Sequence, residues 1–182
     1  VKYKELMLTE QKKGRNADPN KLSQYYNYQQ NLKIALNSAY GAMGNQWFRY
    51  YDERNAEAVS VAGQLSVQWA ENAVNNYLNT TLSTGNKDYI VAMDTDSLYV
   101  CLDSLVSKVG LTDNEKIVNF LDKACGRIEG VIEKAYKELA EYVNAYQQKM
   151  VMKREVIADI GIWTAKKHYI LNVHDSEGVR YE

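Results

Sequence analysis

The sequence predicts a mixed α/β fold of the α+β kind, in which an antiparallel sheet is backed by long helices and a helical hairpin projects from it. Three observations point there. Apolar residues recur at helical spacing through two long segments, one around residues 55–79 and one after residue 113. Between them, two short apolar runs flank Asp94-Thr95-Asp96-Ser97, which reads as two buried strands joined by a turn. From residue 149 onward the pattern shortens to strand-like stretches.

In chain order, residues 1–13 are expected to finish one helix. Residues 14–20 form a polar turn around Pro19, the only proline, and residues 21–43 return as an antiparallel partner. The stripe Ala62, Leu65, Trp69, Ala73 and Tyr77 is expected to pack against the sheet. A hairpin of about residues 87–103 follows. Thr112 with Glu115 makes a capping-box pattern that opens a helix over about residues 113–147. Its apolar stripe runs through Ile117, Leu121, Ala124, Ile128, Ile132, Ala135, Leu139 and Tyr142. Gly126 and Gly130 each weaken that helix by about 1 kcal/mol relative to Ala, which suits either a kink or a close neighbour. Strands are expected over residues 150–157, 160–164 and 167–173, with a further strand after the Asp175-Ser176-Glu177-Gly178 turn. There is no internal repeat or low-complexity tract.

Composition narrows the function classes. The chain is 46% hydrophobic and 25% charged, with a formal net charge of -1, so no global basic field advertises nucleic acid. Any such binding rests on local lysines. Cys101 and Cys125 make no metal or disulfide pattern and are expected to be reduced and buried. No apolar run reaches about 18 residues and no secretory leader opens the chain, so an intracellular, non-membrane setting is expected.

The acidic turn is the first chemical signal. Asp94 and Asp96 stand one residue apart on a rigid hairpin tip, and concentrated charge there needs a cation. Hard oxygen ligands without neighbouring His or Cys favour magnesium or manganese, completed by water and substrate phosphates. Asp and Ser are also ordinary turn residues, so the tip is weighed with the rest of the chain. About sixty residues upstream lies Lys33-Ile34-Ala35-Leu36-Asn37-Ser38-Ala39-Tyr40-Gly41, in a helical segment. Lys33, Asn37 and Tyr40 share one face there with Tyr26 and Gln29 or Gln30. A cation, an amide and a ring looking one way suit a nucleoside triphosphate, although a solvated lysine and a packed tyrosine would look the same. A third signal is Lys166-Lys167-His168-Tyr169. On a strand its adjacent lysines diverge, so one reaches a phosphate backbone more easily than the other.

In this order the three segments resemble family B DNA polymerases. Lys33 to Gly41 matches the fingers-helix motif, and Asp94-Thr95-Asp96-Ser97 matches the palm motif with its metal-binding aspartates. Lys166-Lys167-His168-Tyr169 looks like the Lys-Lys-Arg-Tyr motif that contacts the primer-template duplex. Gly44-Asn45-Gln46-Trp47-Phe48-Arg49-Tyr50-Tyr51-Asp52 and Lys153-Arg154-Glu155 look closest to the T-even-like phage branch. The resemblance covers nearly the whole chain. It departs from the pattern at Met93, where the family usually carries Gly, and at His168, where it usually carries Arg.

The resemblance implies residues 1–45 as a fingers hairpin and residues 46–182 as part of a palm-type sheet and its helices. It further implies a DNA-directed DNA polymerase, in which a primer 3′-hydroxyl attacks an incoming deoxynucleoside triphosphate with two magnesium or manganese ions. Asp96 and Asp94 become metal ligands and catalytic residues. Lys33, Asn37, Ser38 and Tyr40 become nucleotide-binding residues, and Lys166, Lys167 and Tyr169 hold the primer-template DNA. Glu155 falls where the family carries an auxiliary carboxylate, and a solvent-facing strand glutamate is the alternative. An earlier palm strand of the family supplies another aspartate, in a motif this sequence lacks. The chain is therefore expected to be a fragment, inactive alone, whose partners are the exonuclease, the rest of the palm and the thumb. An unpaired sheet edge beside the hairpin is expected to promote self-association. Two other classes compete: a metal-dependent nucleotide-sugar transferase, which accounts for the hairpin alone, and a non-catalytic interaction module.

Overall fold

The computed structural model describes residues 2–181. Val1, placed by the sequence in the first helix, and Glu182 lie outside the described residues. The architecture is mixed, with five α-helices and two small antiparallel sheets among the described residues. The chain divides into two compact units, of which the first reaches to Ser60 and takes in Glu177–Arg180 while the second holds Val61–Ser176.

In the first unit, α1 (Lys2–Gln11) and α2 (Pro19–Met43) form the expected antiparallel hairpin. Tyr3 stacks on Tyr28 with ring centroids 4.9 Å apart, while at the other end the Asp18 amide donates to Glu10 Oε1 at 3.0 Å. Glu10 also accepts from Lys13 Nζ at 2.6 Å, and these donors hold its carboxyl below the ordinary range. α2 begins two residues earlier than its pattern suggested. Asp18 caps it, accepting from the Asn20 amide at 2.9 Å, and Pro19 follows at a position where its missing N–H costs no helical bond.

The second unit is built on α3 (Glu53–Leu82), whose first turns belong to the first unit, and on α5 (Asn114–Tyr142). Its core joins Ala70, Val74 and Leu78 of α3 to Ile128, Ile132, Tyr136 and Leu139 of α5, with Tyr89 wedged among them. The buried seam of α3 therefore differs from the predicted stripe. Val67, Ala70, Val74 and Leu78 face inward, Trp69 and Tyr77 flank the core, and Ala62 and Leu65 are exposed. Both stripes have helical spacing, and packing against α5 selects between them. The α5 seam keeps Ile128, Ile132, Ala135 and Leu139 of the predicted stripe; Ile117, Leu121 and Ala124 are only half-buried, Tyr142 is exposed, and Val118 and Tyr136 are buried in addition. Its cap is Asp113 rather than Thr112, accepting from the Glu115 amide at 3.2 Å, and the helix ends at Tyr142, short of residue 147. A Cβ at Gly126 or Gly130 would meet nothing within 4 Å, so neither glycine serves a close approach. A short helix that the sequence pattern did not reveal, α4 (Asp103–Val109), ends on Gly110, whose φ of 72° suits glycine.

The strands pair in two groups. β1 (Ile90–Asp94) and β2 (Ser97–Val100) make one antiparallel hairpin. β3 (Val156–Ala165), β4 (His168–Ser176) and β5 (Val179–Arg180) make the other sheet in sequential order. Three strand assignments are corrected. Residues 150–155 are not a strand, because side chains meet their backbone groups: the Arg154 amide donates to Glu129 Oε1 at 2.7 Å, and both backbone groups of Met150 bond Gln148. Residues 156–165 then form one continuous strand. Lys166 and Lys167 lie in the turn between β3 and β4 rather than on a strand, with Lys167 at φ 64°. The expected strand after residues 175–178 is present as β5.

Candidate active site

The acidic tip is a two-residue turn. Asp94 pairs with Ser97 across the hairpin, leaving Thr95 and Asp96 at the apex. The Thr95 hydroxyl donates to Asp94 Oδ1 at 3.0 Å, and the Ser97 hydroxyl donates to the Asp94 carbonyl at 3.3 Å. Asp94 is half-buried and Asp96 exposed. A Cβ built on Gly63 of α3 would lie 3.9 Å from the Thr95 carbonyl oxygen, so the turn runs alongside that helix at van der Waals distance.

What holds the base of the hairpin in place is a pair of amides one helical turn apart on α3. Asn79 Nδ2 donates to the Lys87 carbonyl at 2.8 Å, and Asn79 Oδ1 accepts from the Lys87 amide at 2.8 Å. Asn75 Oδ1 accepts from the Tyr89 amide at 2.9 Å, and Asn75 Nδ2 donates to Asp88 Oδ1 at 2.9 Å. The Ile90 amide also donates to Asp88, and these two donors hold its carboxyl below the ordinary range. Tyr89, 2% exposed, completes the anchor with its hydroxyl 2.6 Å from Thr84 Oγ1. The chain entering β1 is thus clasped before the strand begins. Sequence reasoning missed this, although Asn75 and Asn79, at i and i+4 on an otherwise amphipathic helix, were the available signal.

A second missed feature brings β2 against β3 and β4. The Tyr99 ring of β2 meets Trp163 of β3 and Tyr169 of β4 edge-on, each with centroids 5.4 Å apart, and Trp163 stacks on Tyr169 at 6.5 Å. Trp163 and Tyr169 are ladder partners. Burial pushes the Tyr99 phenol up to about 12, and the Tyr169 hydroxyl acts in the same direction. The Trp163 ring lies over Gly161, where a Cβ would come within 2.6 Å of it. Lys166, Lys167 and His168 are exposed at the adjoining turn.

Glu155 is exposed and sits in the irregular segment before β3, not on a strand. Its neighbour Arg154 is strongly held, pairing with Asp122 of α5 and with Asp175 of β4, which is 1% exposed. Cys125, near that group and half-buried rather than buried, has its thiol pushed up to about 11 by desolvation, with Glu129 and Asp122 adding to the rise and Arg154 opposing it. Cys101 is likewise half-buried and free.

On α2, Lys33, Asn37 and Tyr40 share a face as expected, and Gln30 donates to the Tyr26 hydroxyl at 3.2 Å one turn earlier. Lys33 and Asn37 are exposed without a polar partner among the described residues. The Tyr40 hydroxyl lies 2.8 Å from Ser60 Oγ, which steadies the ring against the start of α3. Ser38, one position on from Asn37, is rotated about 100° away from that face.

The donor set at the tip fits a hard divalent cation: two carboxylates, one with an oxygen engaged by Thr95, leave positions for water and phosphate oxygen. Among the described residues no third His, Cys, Asp or Glu joins them, so Glu155 is not brought to the tip. No helix among the described residues is long and apolar enough to cross a membrane. An acidic turn and a dilysine turn, on two hairpins that meet through Tyr99, Trp163 and Tyr169, can serve a protein that handles phosphate through a divalent cation.

The family model for DNA polymerase family B matches residues 2–179, and the chain belongs to that family. It is 46% identical over 163 residues to the DNA-directed DNA polymerase of Escherichia phage RB69, a match covering 83% of this chain and 18% of the relative. To the DNA-directed DNA polymerase of Enterobacteria phage T4 it is 43% identical over 165 residues, covering 84% of this chain and 18% of the relative. The chain thus spans about a fifth of the length of these curated relatives.

Proposed function

We propose that this chain is part of a DNA-directed DNA polymerase that adds deoxynucleotides to a primer 3′-hydroxyl under template direction. The observation that carries the reading is a two-residue turn presenting Asp94 and Asp96, in a chain whose family match runs through residues 2–179. Residues 1–45 are its fingers portion and residues 46–182 its palm portion.

Asp96, exposed at the apex, and Asp94 behind it hold magnesium or manganese. The bound ions, two in this reading, neutralise charge on the attacking and leaving oxygens. Lys33 meets the triphosphate as a point charge, Asn37 hydrogen-bonds it with Ser38 alongside, and Tyr40 offers its ring to the sugar and nascent base pair. Lys166, Lys167 and Tyr169 grip the primer-template duplex. With both lysines in one turn, each can reach phosphate, so their contributions are expected to be comparable. Phosphate contacts position without reading bases, so binding is sequence-independent. Glu155 acts as an auxiliary carboxylate only if segment 150–155 moves toward the tip. The family match gives no support to the nucleotide-sugar transferase reading.

Within the full-length polymerase, Lys33→Ala is expected to raise the nucleotide KM and lower kcat while leaving DNA affinity nearly unchanged. An equal loss of DNA affinity would contradict the assignment. The 182-residue chain alone is expected not to extend a primer and to self-associate along the β1–β2 edge, since two carboxylates are few for two ions. Primer extension by the isolated chain that vanishes in Asp96→Asn would overturn its inactivity, and a monomer in sedimentation would overturn the self-association.

A further inference from the structure

Resting on that reading, we propose that Tyr99, through its edge-on contacts with Trp163 and Tyr169, is a positioning residue that sets the acidic tip relative to the turn that grips the duplex. The two functional elements belong to different sheets, so no ladder hydrogen bond fixes one against the other. Three rings do so instead. Tyr99 lies three residues beyond Asp96 and pairs with Ala92, and Tyr169 lies two residues beyond Lys167. Trp163 bridges them, 5.4 Å from Tyr99 and 6.5 Å from Tyr169.

The contact is also built for precision rather than for bulk. Gly161 leaves the space that the indole occupies over β3, where a Cβ would come within 2.6 Å of Trp163 and 2.9 Å of Leu171. Edge-to-face pairs constrain ring orientation as well as separation, which an aliphatic contact of equal area does not. Trp163 and Tyr169 remain 36% and 46% exposed, so the group is not simply interior filling. Its service is geometric: duplex held at Lys166 and Lys167 is kept at a fixed offset from the carboxylates that act on the primer end.

The test uses the full-length polymerase with Tyr99→Phe, Tyr99→Leu and Trp163→Leu, the leucines keeping apolar bulk so that folding survives. Tyr99→Phe should keep near-normal extension, since the ring edge is retained. Tyr99→Leu should lower single-turnover kcat by about 10²-fold, the loss that a misplacement of about 1 Å produces, with DNA Kd and nucleotide KM changed less than about threefold. A second readout is independent of turnover. In protein labelled with 5-fluorotryptophan, the Trp163 resonance, assigned by its loss in Trp163→Leu, should shift when magnesium is added without DNA, and that shift should disappear in Tyr99→Leu. The inference is overturned if Tyr99→Leu retains kcat, if its defect is confined to DNA Kd, or if magnesium leaves the Trp163 resonance unmoved in the unsubstituted protein. Absence of templated extension by the unsubstituted polymerase would instead sink the functional reading on which the inference rests.

Discussion

The clasp on α3 can be tested by replacing two asparagines three residues apart. Asn79 makes four polar contacts: to the Lys87 carbonyl and amide, to the Asn75 carbonyl at 2.9 Å, and to the Thr84 hydroxyl at 2.9 Å. Asn76, on the same helix, is exposed with no side-chain partner among the described residues. The freed Lys87 groups are solvent-accessible, so each lost bond should cost near the lower end of the usual range, about 0.5–1 kcal/mol. Four such bonds total about 2–4 kcal/mol. Alanine recovers about 0.6 kcal/mol of helix propensity at either position. Asn79→Ala should therefore destabilise the second unit by about 1.5–3 kcal/mol, whereas Asn76→Ala should be neutral or slightly stabilising. Urea unfolding of the chain gives the difference in midpoint, and hydrogen exchange over residues 86–94 locates it. If the two variants unfold together, or if exchange at the Tyr89 and Ile90 amides is unchanged in Asn79→Ala, the clasp does not hold the hairpin.

Gly161→Ala should cost about 1–3 kcal/mol and displace the Trp163 indole, read as loss of near-UV circular dichroism with far-UV signal retained; an unchanged aromatic signal would contradict the packing. Asp88 has a folded-state carboxyl held below its ordinary value near 3.8, so it contributes stability above that value that is lost as pH falls through its lower folded one. Amide exchange at Ile90 should accelerate in that acidic window, and Asp88→Asn should flatten the pH dependence. Cys125, with its thiol pushed up to about 11, should react slowly with a thiol reagent at about pH 8 and at normal speed once guanidinium unfolds the chain; equal rates would show the site to be open.

Much of this architecture can be read locally. The antiparallel α1–α2 pair follows from helical periodicity broken at Pro19, and most of the α5 seam follows from the spacing of Ile128, Ile132, Ala135 and Leu139. The acidic hairpin follows from alternation on both sides of turn residues, and the shared face of Lys33, Asn37 and Tyr40 from helical geometry. Each of these depends on residues a few positions apart, and such neighbours are set by backbone geometry before any tertiary contact forms. The choice between two equally periodic stripes on α3 required α5 as a partner. Residues 150–155 look like a strand until Glu129, 25 positions away from Arg154, takes the Arg154 amide. The placement of the dilysine pair in a turn depended on where β3 and β4 came into register. The Asn75 and Asn79 clasp and the contact of Tyr99 with Trp163 are likewise tertiary, because an amide or a ring carries no sign in sequence of which distant group it will meet. Hydrogen bonding and ring packing are satisfied by whatever the fold brings within a few ångströms, so most elements were legible in the chain, α4 and the irregular segment 150–155 excepted, and their mutual placement was decided only when they packed.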